Sequence, residues 1–589
     1  MIVSERLRCG ICLLVFAAVF LTLTVGSYVR ESATWDEPQH LVAGYTALKF
    51  HDYRTDPEHP PFIRMWAALP LLGMDEIKMD LGRIDRVASA GWVFAGQFFF
   101  CHDMLYVAND ADRLLYAARF MIVLLGVLLG VLLFRWAHEL FGFWPAAVVL
   151  GFYTIEPNIL ANCRLVTTDF GITCFSFGVA YFLWRAARRL SAGNLFGLVA
   201  FFALAQMGKF SAVLLGPVVL VLLVARACHE SPWPVGIGKP TELSTRRKRF
   251  VAAAAVVATL VLAAWLGIWA AYDFRYLPSN VPGWRMEFHK DPVILQRMPM
   301  ITRTITWVDD HRLLPNAYNE GFLLGQIKAQ KRSGFLAGSY RIRGWWWFFP
   351  FAFLIKTPIS VILLFAAGVV LAVNRWPRMI NDSAFALLPP VAFLAAGMFA
   401  KLNIGLRHIL PVYPFVLLLA GYAAAKLLAK RFTAGRLTLA ALGLLAIAEF
   451  ALVCPHYLAF FNQSIGGPRQ GQEYLLDSNI DWGQDLKGLK RWMDQHDVHH
   501  INLSYFGTAD PAYYKIDCTY LSGGPFFDEK FVTVPTLPGF VAVSVTNLRG
   551  LYFPDDSRDW YMPLLLMEPT AVIGYSIYVY RVDLPWWVR

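Results

Sequence analysis

About eleven apolar stretches, each close to the length a helix needs to cross a bilayer, run through most of the 589-residue chain. They lie near 9–29, 115–134, 143–160, 166–184, 195–208, 211–227, 250–271, 348–373, 384–400, 409–428 and 436–455. A hydrocarbon core is crossed by about 20 residues of helix. Inside it every backbone N–H and C=O must be paired within the protein, which leaves helices or closed barrels. Continuous apolar runs, rather than alternating ones, predict an α-helical polytopic membrane protein with about eleven transmembrane helices. Only 16% of residues are charged, against roughly 25% in soluble domains, which excludes an ordinary soluble fold.

The basic residues between these stretches predict their orientation. With Arg6 and Arg8 inside, the other inside connections carry Arg135, then Arg185, Arg188 and Arg189, then Arg246, Arg247, Lys248 and Arg249. Further along they carry Arg375 and Arg378, then Lys426, Lys430, Arg431 and Arg436. Every second connection is basic, as the positive-inside rule requires. These loops account for the formal net charge of +11 without any nucleic-acid partner. The first stretch is read as a retained anchor, because no small-residue cleavage site follows it. Three segments then face outward: 30–114, 272–347 and a tail, 456–589. The tail mixes a helical run at 484–493 with strand-like runs at 540–545 and 571–582, and reads as a small extracytoplasmic α/β domain. The transmembrane part is 1–455. Eight cysteines form neither a disulfide framework nor a metal-ligand pattern.

Acids gather on the outward side of this topology. Trp35-Asp36-Glu37 follows the first span, and Asp56-Pro57-Glu58-His59-Pro60-Pro61 comes about twenty residues later. Asp169 sits in Arg164-Leu165-Val166-Thr167-Thr168-Asp169-Phe170, at the mouth of the fourth span. Ionisable groups at membrane depth usually mark function, and three carboxylates on one face suit a base in a partly dry cleft. Plainer roles stand beside this: Asp36 as N-cap of a helix beginning at Pro38, Glu58 as a solvated loop charge, Asp169 as a span cap. Lys209, Lys356 and the pair Arg407-His408 lie near outer span ends. They suit stabilisation of a departing phosphate, or snorkelling to headgroups. His59 suits phosphate contact or a capping role.

These motifs together resemble the type C membrane glycosyltransferases, in particular protein O-mannosyltransferases, aminoarabinose transferases and bacterial family 39 relatives. The two first-loop acidic motifs carry most of the likeness. Asp169 after Thr167-Thr168, Gly208-Lys209-Phe210-Ser211 and Phe353-Leu354-Ile355-Lys356-Thr357-Pro358 add to it. So do Arg407-His408-Ile409-Leu410-Pro411 and the tail's Leu476-Asp477-Ser478-Asn479-Ile480-Asp481-Trp482-Gly483-Gln484. The resemblance implies a polyprenyl-phosphate-linked sugar donor and an inverting transfer to an extracytoplasmic protein, lipid or cell-envelope glycan at a bacterial inner membrane. It makes Asp36 the base, with Glu58 and Asp169 catalytic beside it. It gives Glu37, His59, Lys209, Lys356, Arg407 and His408 to substrate binding. His59 stands where aminoarabinose transferases have lysine, and the tail is unlike that of O-mannosyltransferases, so sugar and acceptor stay open. No metal is required, although Asp36, Glu58 and Asp169 offer oxygens to Mg2+, Mn2+ or Zn2+. The rival reading is a transporter or flippase of lipid-linked sugars; such proteins show internal repeats and interrupted helices, neither of which is expected of this chain, whose acids gather at one face. A third is a membrane-anchored binding factor centred on Asp477, Asn479, Asp481 and Trp482. Those four residues also read as a plain turn and N-cap.

Overall fold

A computed structural model of the chain describes residues 4–84, 94–236, 241–330, 332–374, 376–429, 433–524 and 534–586. Arg375, Lys430, Arg431 and the side chain of Arg378 lie outside the described residues.

All eleven apolar intervals are helical. Among the described residues, seven helices are long and apolar enough to cross a membrane: Glu5–Tyr28, Ala111–Phe141, Thr168–Arg188, Phe210–Cys228, Arg246–Ala271, Leu406–Leu427 and Thr433–Val453. Phe143–Ile155, Ala192–Gly208 and Ser383–Phe399 are apolar but shorter. The interval 348–373, expected as one span, is instead two helices bent by 118°. Its cause is local: Thr357 is extended, the conformation favoured before proline, and Pro358 cannot donate to a continuing helix.

Carbonyls freed at such a break must find partners away from water. The Asn158 side chain donates to the Lys356 carbonyl at 2.6 Å, and that of Asn462 donates to the carbonyls of Leu354 at 2.7 Å and Thr357 at 2.8 Å. The chain therefore does contain an interrupted helix, contrary to the expectation, but protein groups close the gap.

Burial sorts the helices. In Thr168–Arg188 and Leu406–Leu427, 89% of the most apolar window is buried inside the protein; in Glu5–Tyr28 the share is 17%, and in Arg246–Ala271 and Thr433–Val453 it is 22%. The first two form the centre of the bundle. The other three leave apolar side chains such as Leu14 and Val261 on the outside, as lipid-facing helices do.

The segments expected to face outward keep the names first and second outer segment; the first folds into Glu37–Phe50 and Phe62–Ala68, the latter continued by a 3-10 turn. These helices cross closely at Gly44, where a Cβ would fall 2.1 Å from the Arg64 carbonyl oxygen. The second outer segment carries Pro292–Arg297, Pro299–Asp310 and Asn316–Lys328.

In the tail, the predicted helical run is Leu486–Gln495, and the strand-like runs are Gly539–Ser544, Ala571–Ile573 and Ile577–Val582. The mixed five-stranded sheet has the order Cys518–Tyr520, Ile501–Ser504, Gly539–Ser544, Ile577–Val582, Ala571–Ile573. The first two pairings are parallel and the last two antiparallel. The tail is hydrogen-bonded into the first outer segment: Ser32 N–H donates to the Gln484 carbonyl at 2.9 Å, and Trp35 N–H to that of Trp482 at 2.8 Å. Thr508 Oγ1 donates to the Trp35 carbonyl at 2.9 Å. The loop that carries Asp36 is thus held from two sides.

Candidate functional site

Glu37 and Asp36 are neighbours with opposite surroundings. The Glu37 carboxylate is fully buried and accepts from Thr34 N–H at 2.8 Å, Val166 N–H at 2.9 Å and Arg119 at 2.9 and 2.6 Å. Burial opposes its charge, but Arg119 and the two backbone N–H groups outweigh that and hold its pKa below the usual value. Arg119 also donates to the carbonyls of Tyr28 at 2.9 Å and Ser32 at 2.8 Å. Glu37 therefore fastens the first loop to the segment before Asp169 rather than facing an open site, which departs from its expected place in substrate binding.

Asp36 points the other way. It is the N-cap residue of Glu37–Phe50, yet its side chain makes no capping bond. Its carboxylate, 25% exposed, instead accepts from Arg407 Nη1 at 3.0 Å. The same Nη1 donates to Asp169 at 3.1 Å, and Asp169, 1% exposed, also pairs with Lys209. Thr167 is the N-cap residue of the Asp169 helix, so Asp169 is not its cap. Two cations and two carboxylates thus meet at the ends of the two most buried helices.

The tail completes this group. Arg407 Nε donates to Ser478 Oγ at 3.3 Å, and its guanidinium lies 4.1 Å from the centre of the Trp482 ring. Asn479 accepts Leu406 N–H at 2.9 Å and donates to the Ile404 carbonyl at 3.1 Å. At Gly405 a Cβ would fall 2.2 Å from Ser478 Oγ, so only glycine lets the tail come this close. Asp477–Asn479 is a 3-10 turn, as the plain reading held. The helix that follows begins only at Leu486, with no side-chain cap.

The remaining candidates are placed differently. Glu58 pairs with Lys328 of the second outer segment; burial raises its pKa and Lys328 opposes the rise. Asp56 is the more buried acid of its motif and binds Arg64 at 2.9 Å and His40 at 2.8 Å. Burial works against its charge, and Arg64 and His40 outweigh it, so its pKa is depressed. The His59 ring lies edge-on to His40 at 5.1 Å, and burial holds its pKa well below the usual imidazole value. His408 has a buried Nε2 without a hydrogen-bond partner and sits 6.4 Å from the Phe349 ring.

Lys356 departs furthest from expectation. Its ammonium donates to the carbonyls of Leu458 at 3.0 Å, Phe460 at 3.0 Å and Asn479 at 2.5 Å, and lies over the Phe461 ring at 4.2 Å. An ammonium has three N–H donors, and all three are engaged with backbone. It ties the broken helix to the tail and has none left for a phosphate.

Trp35, the residue before Asp36, lines a cavity of about 1180 Å³ whose walls also include Arg332, Phe506, Asn547, Tyr552 and Asp559; Asp36, Asp169, Lys209 and Arg407 are not among its lining residues. Trp35 stacks on Phe506 at 4.7 Å, and Phe506 on Tyr552 at 5.5 Å. Arg332 lies 5.5 Å from the Tyr552 ring; Tyr552 first, then Asp477 and Asp36, raise its pKa. Sequence reasoning missed Arg332 altogether; Trp35 stood in the quoted first-loop motif, and Ser478 and Trp482 in the quoted tail motif, but nothing in the sequence brought the tail motif to Arg407.

The three outer acids do not form a metal-binding group. Among the described residues, the one set of three or more His, Cys, Asp or Glu side chains whose donor atoms lie within 4.8 Å of one another is His289, Asp309 and Glu320. Asp36 and Asp169 share Arg407, and Glu58 has Lys328.

The family described as dolichyl-phosphate-mannose-protein mannosyltransferase matches the chain over residues 108–238. Among curated proteins no sequence matches. Among solved structures, the Saccharomyces cerevisiae protein O-mannosyltransferase Pmt1–Pmt2 complex, bound to its sugar donor, is similar with a TM-score of 0.50 at 12% identity. That match covers 77% of this chain and 90% of the yeast one. ArnT from Cupriavidus metallidurans, bound to undecaprenyl phosphate, matches with a TM-score of 0.42 at 12% identity over 96% of this chain and 97% of its own. The Archaeoglobus fulgidus oligosaccharyltransferase, in complex with zinc and sulfate, matches with 0.44 at 12% identity over 94% and 69%. In one segment of its sequence and in the fold of its helices, the chain resembles the type C membrane glycosyltransferases.

Proposed function

We propose that this chain is a membrane glycosyltransferase that moves a sugar from a polyprenyl-phosphate-linked donor to an extracytoplasmic acceptor, with inversion at the anomeric carbon. The observation that carries this reading is Arg407, held between Asp36 and Asp169. A glycosyl phosphate needs fixed positive charge where its leaving group gains negative charge, and Arg407 with Lys209 supplies two such charges in one place. Asp169 is buried between them and serves to orient both cations. Asp36 is the more exposed of the two carboxylates, 25% against 1%, so it takes the proton of the acceptor hydroxyl as the new bond forms. Inversion follows when the acceptor approaches the anomeric carbon from the face opposite the phosphate.

The stacked rings of Trp35, Phe506 and Tyr552, with Asn547 and Arg332, suit an acceptor that offers both apolar and hydroxyl surface. The acceptor class is a protein, lipid or envelope glycan. Placement of the tail outside rests on the alternation of basic loops, and placement in a bacterial inner membrane on the resemblance to bacterial family 39 relatives. Reporter fusions after Arg135 and Arg189 should read as cytoplasmic, and one after Tyr457 as external; a cytoplasmic tail removes this reading. For the reaction, the test is transfer from a polyprenyl-phosphate sugar by the purified protein, with envelope glycans compared in cells with and without the gene. Lipid-linked sugar carried across vesicles without any transfer would favour a flippase instead.

A further inference from the structure

The second outer segment holds a buried group that the transfer chemistry does not use. His289 lies in the short 3-10 turn Phe288–Lys290, Asp309 near the end of Pro299–Asp310, and Glu320 in the second turn of Asn316–Lys328. All three are buried: Asp309 is 1% exposed and Glu320 0%. His289 Nδ1 lies 2.5 Å from Glu320 Oε1, and His289 N–H donates to Glu320 Oε2 at 3.1 Å. Asp309 Oδ1 accepts from the amides of Asn316 at 3.2 Å and Asn319 at 3.3 Å.

Two atoms in this group are left over. Asp309 Oδ2 and Asn319 Oδ1 are both buried without a hydrogen-bond partner. The charged group facing Asp309 is Arg285, whose Nη1 is 4.0 Å from Oδ2. That arginine is half-exposed and bonded to Glu287 at 3.0 Å, too far from Oδ2 to satisfy it. Two carboxylates buried together repel in a medium of low dielectric, and an unsatisfied buried oxygen adds to the penalty. A cation among the three side chains answers both problems.

We propose that His289, Asp309 and Glu320 bind one divalent transition-metal ion, with zinc the best fit. Zinc accepts both imidazole nitrogen and carboxylate oxygen, imidazole being a ligand that suits zinc better than magnesium or calcium, and the three donor atoms already lie within 4.8 Å of one another. Asn319 Oδ1 offers a further oxygen. The histidine argues against magnesium or calcium, which favour all-oxygen surroundings. The ion replaces the His289–Glu320 contact, so that pair opens as it enters.

The site is structural, and its position gives it a mechanical role. Asn316–Lys328 also carries Gly321, where a Cβ would fall 1.9 Å from the Pro57 carbonyl oxygen, and Lys328, which pairs with Glu58. A metal that ties this helix to His289 and Asp309 therefore stiffens the joint between the two outer segments, away from Arg407.

The test uses the purified full-length protein in detergent, stripped with a chelator and then given zinc, manganese or magnesium alone. Zinc should bind at one ion per chain and raise the thermal midpoint as a ligand of the folded state must. Cobalt put in its place should give the visible absorption of a low-symmetry nitrogen–oxygen site. Asp309→Asn and Glu320→Gln should each weaken zinc binding by about 10-fold or more, and Asp36→Asn should leave it unchanged. The wild-type stoichiometry and cobalt spectrum stand even if a variant fails to fold. The proposal is overturned if the wild-type protein takes up no stoichiometric zinc, if Asp309→Asn binds zinc as well as wild type, or if magnesium stabilises as strongly as zinc. Loss of zinc binding in Asp36→Asn would also overturn it, by placing the ion at the transfer site.

Discussion

Arg407 and Lys356 are cations at comparable places in the sequence, each at the end of an apolar helix, and they end in opposite conditions. Arg407 meets two carboxylates, a serine hydroxyl and the face of Trp482. Lys356 is sealed among three backbone carbonyls at a broken helix. The difference lies in what each side chain must neutralise. Near Lys356, Asn158 and Asn462 serve the carbonyls of the break, while the tail brings the carbonyls of Leu458, Phe460 and Asn479 into a dry interior, so the lysine's donors go to backbone. Near Arg407, Asn479 already serves the Leu406 N–H and the Ile404 carbonyl, so the guanidinium is left to the acids. A charge at a membrane-helix end becomes available for chemistry only where other groups have satisfied the backbone around it.

The comparison can be broken at several points. The largest expected effect is on the open side: Asp36→Asn should lower the transfer rate by about 10² to 10⁴, the usual worth of a general base, with a near-normal thermal midpoint. Normal turnover in the purified variant removes Asp36 from proton transfer. On the sealed side, Lys356→Met should lower stability by about 3 kcal/mol, since orphaned buried acceptors cost roughly 1–3 kcal/mol each. Any folded Lys356→Met protein should bind donor normally. If it melts like wild type and loses donor affinity, Lys356 belongs with Arg407 after all. Glu37→Gln should act like Lys356→Met and more mildly, losing thermal stability before activity, because the amide keeps the shape and some of the hydrogen bonds. Smallest is Lys209→Ala, which should weaken donor binding less than loss of Arg407, a lysine being a point charge without the paired fork.

How much of this was legible in the sequence follows the range of the forces involved. The apolar intervals, the tail helix and the tail strands were readable because they depend on local periodicity. Pro358 also stood in plain view as a reason for the break after Lys356, although the apolar run on either side masked it. Partner choice was not readable. Which of Asp36 and Glu37 is left for Arg407 is decided by Arg119, some eighty positions away, which claims Glu37 together with Val166 N–H. The ring beneath Arg407 comes from Trp482 of the tail, and nothing in the spacing links the two. Asp56 was quoted within its motif yet passed over for Glu58, because only the folded loop shows that Arg64 and His40 converge on it.

The most direct measurement of the contrast is competition of free polyprenyl phosphate against the lipid-linked donor, run on Arg407→Ala and Lys356→Met in the same nanodiscs. Arg407→Ala should bind the lipid phosphate more weakly by about 1.5–3 kcal/mol, the range for a charge-assisted hydrogen bond, and Arg407→Lys should recover part of that. Lys356→Met, where folded, should compete as wild type does. Unchanged competition in Arg407→Ala, with sugar preference altered instead, would put Arg407 in the sugar pocket and contradict its assignment to the phosphate.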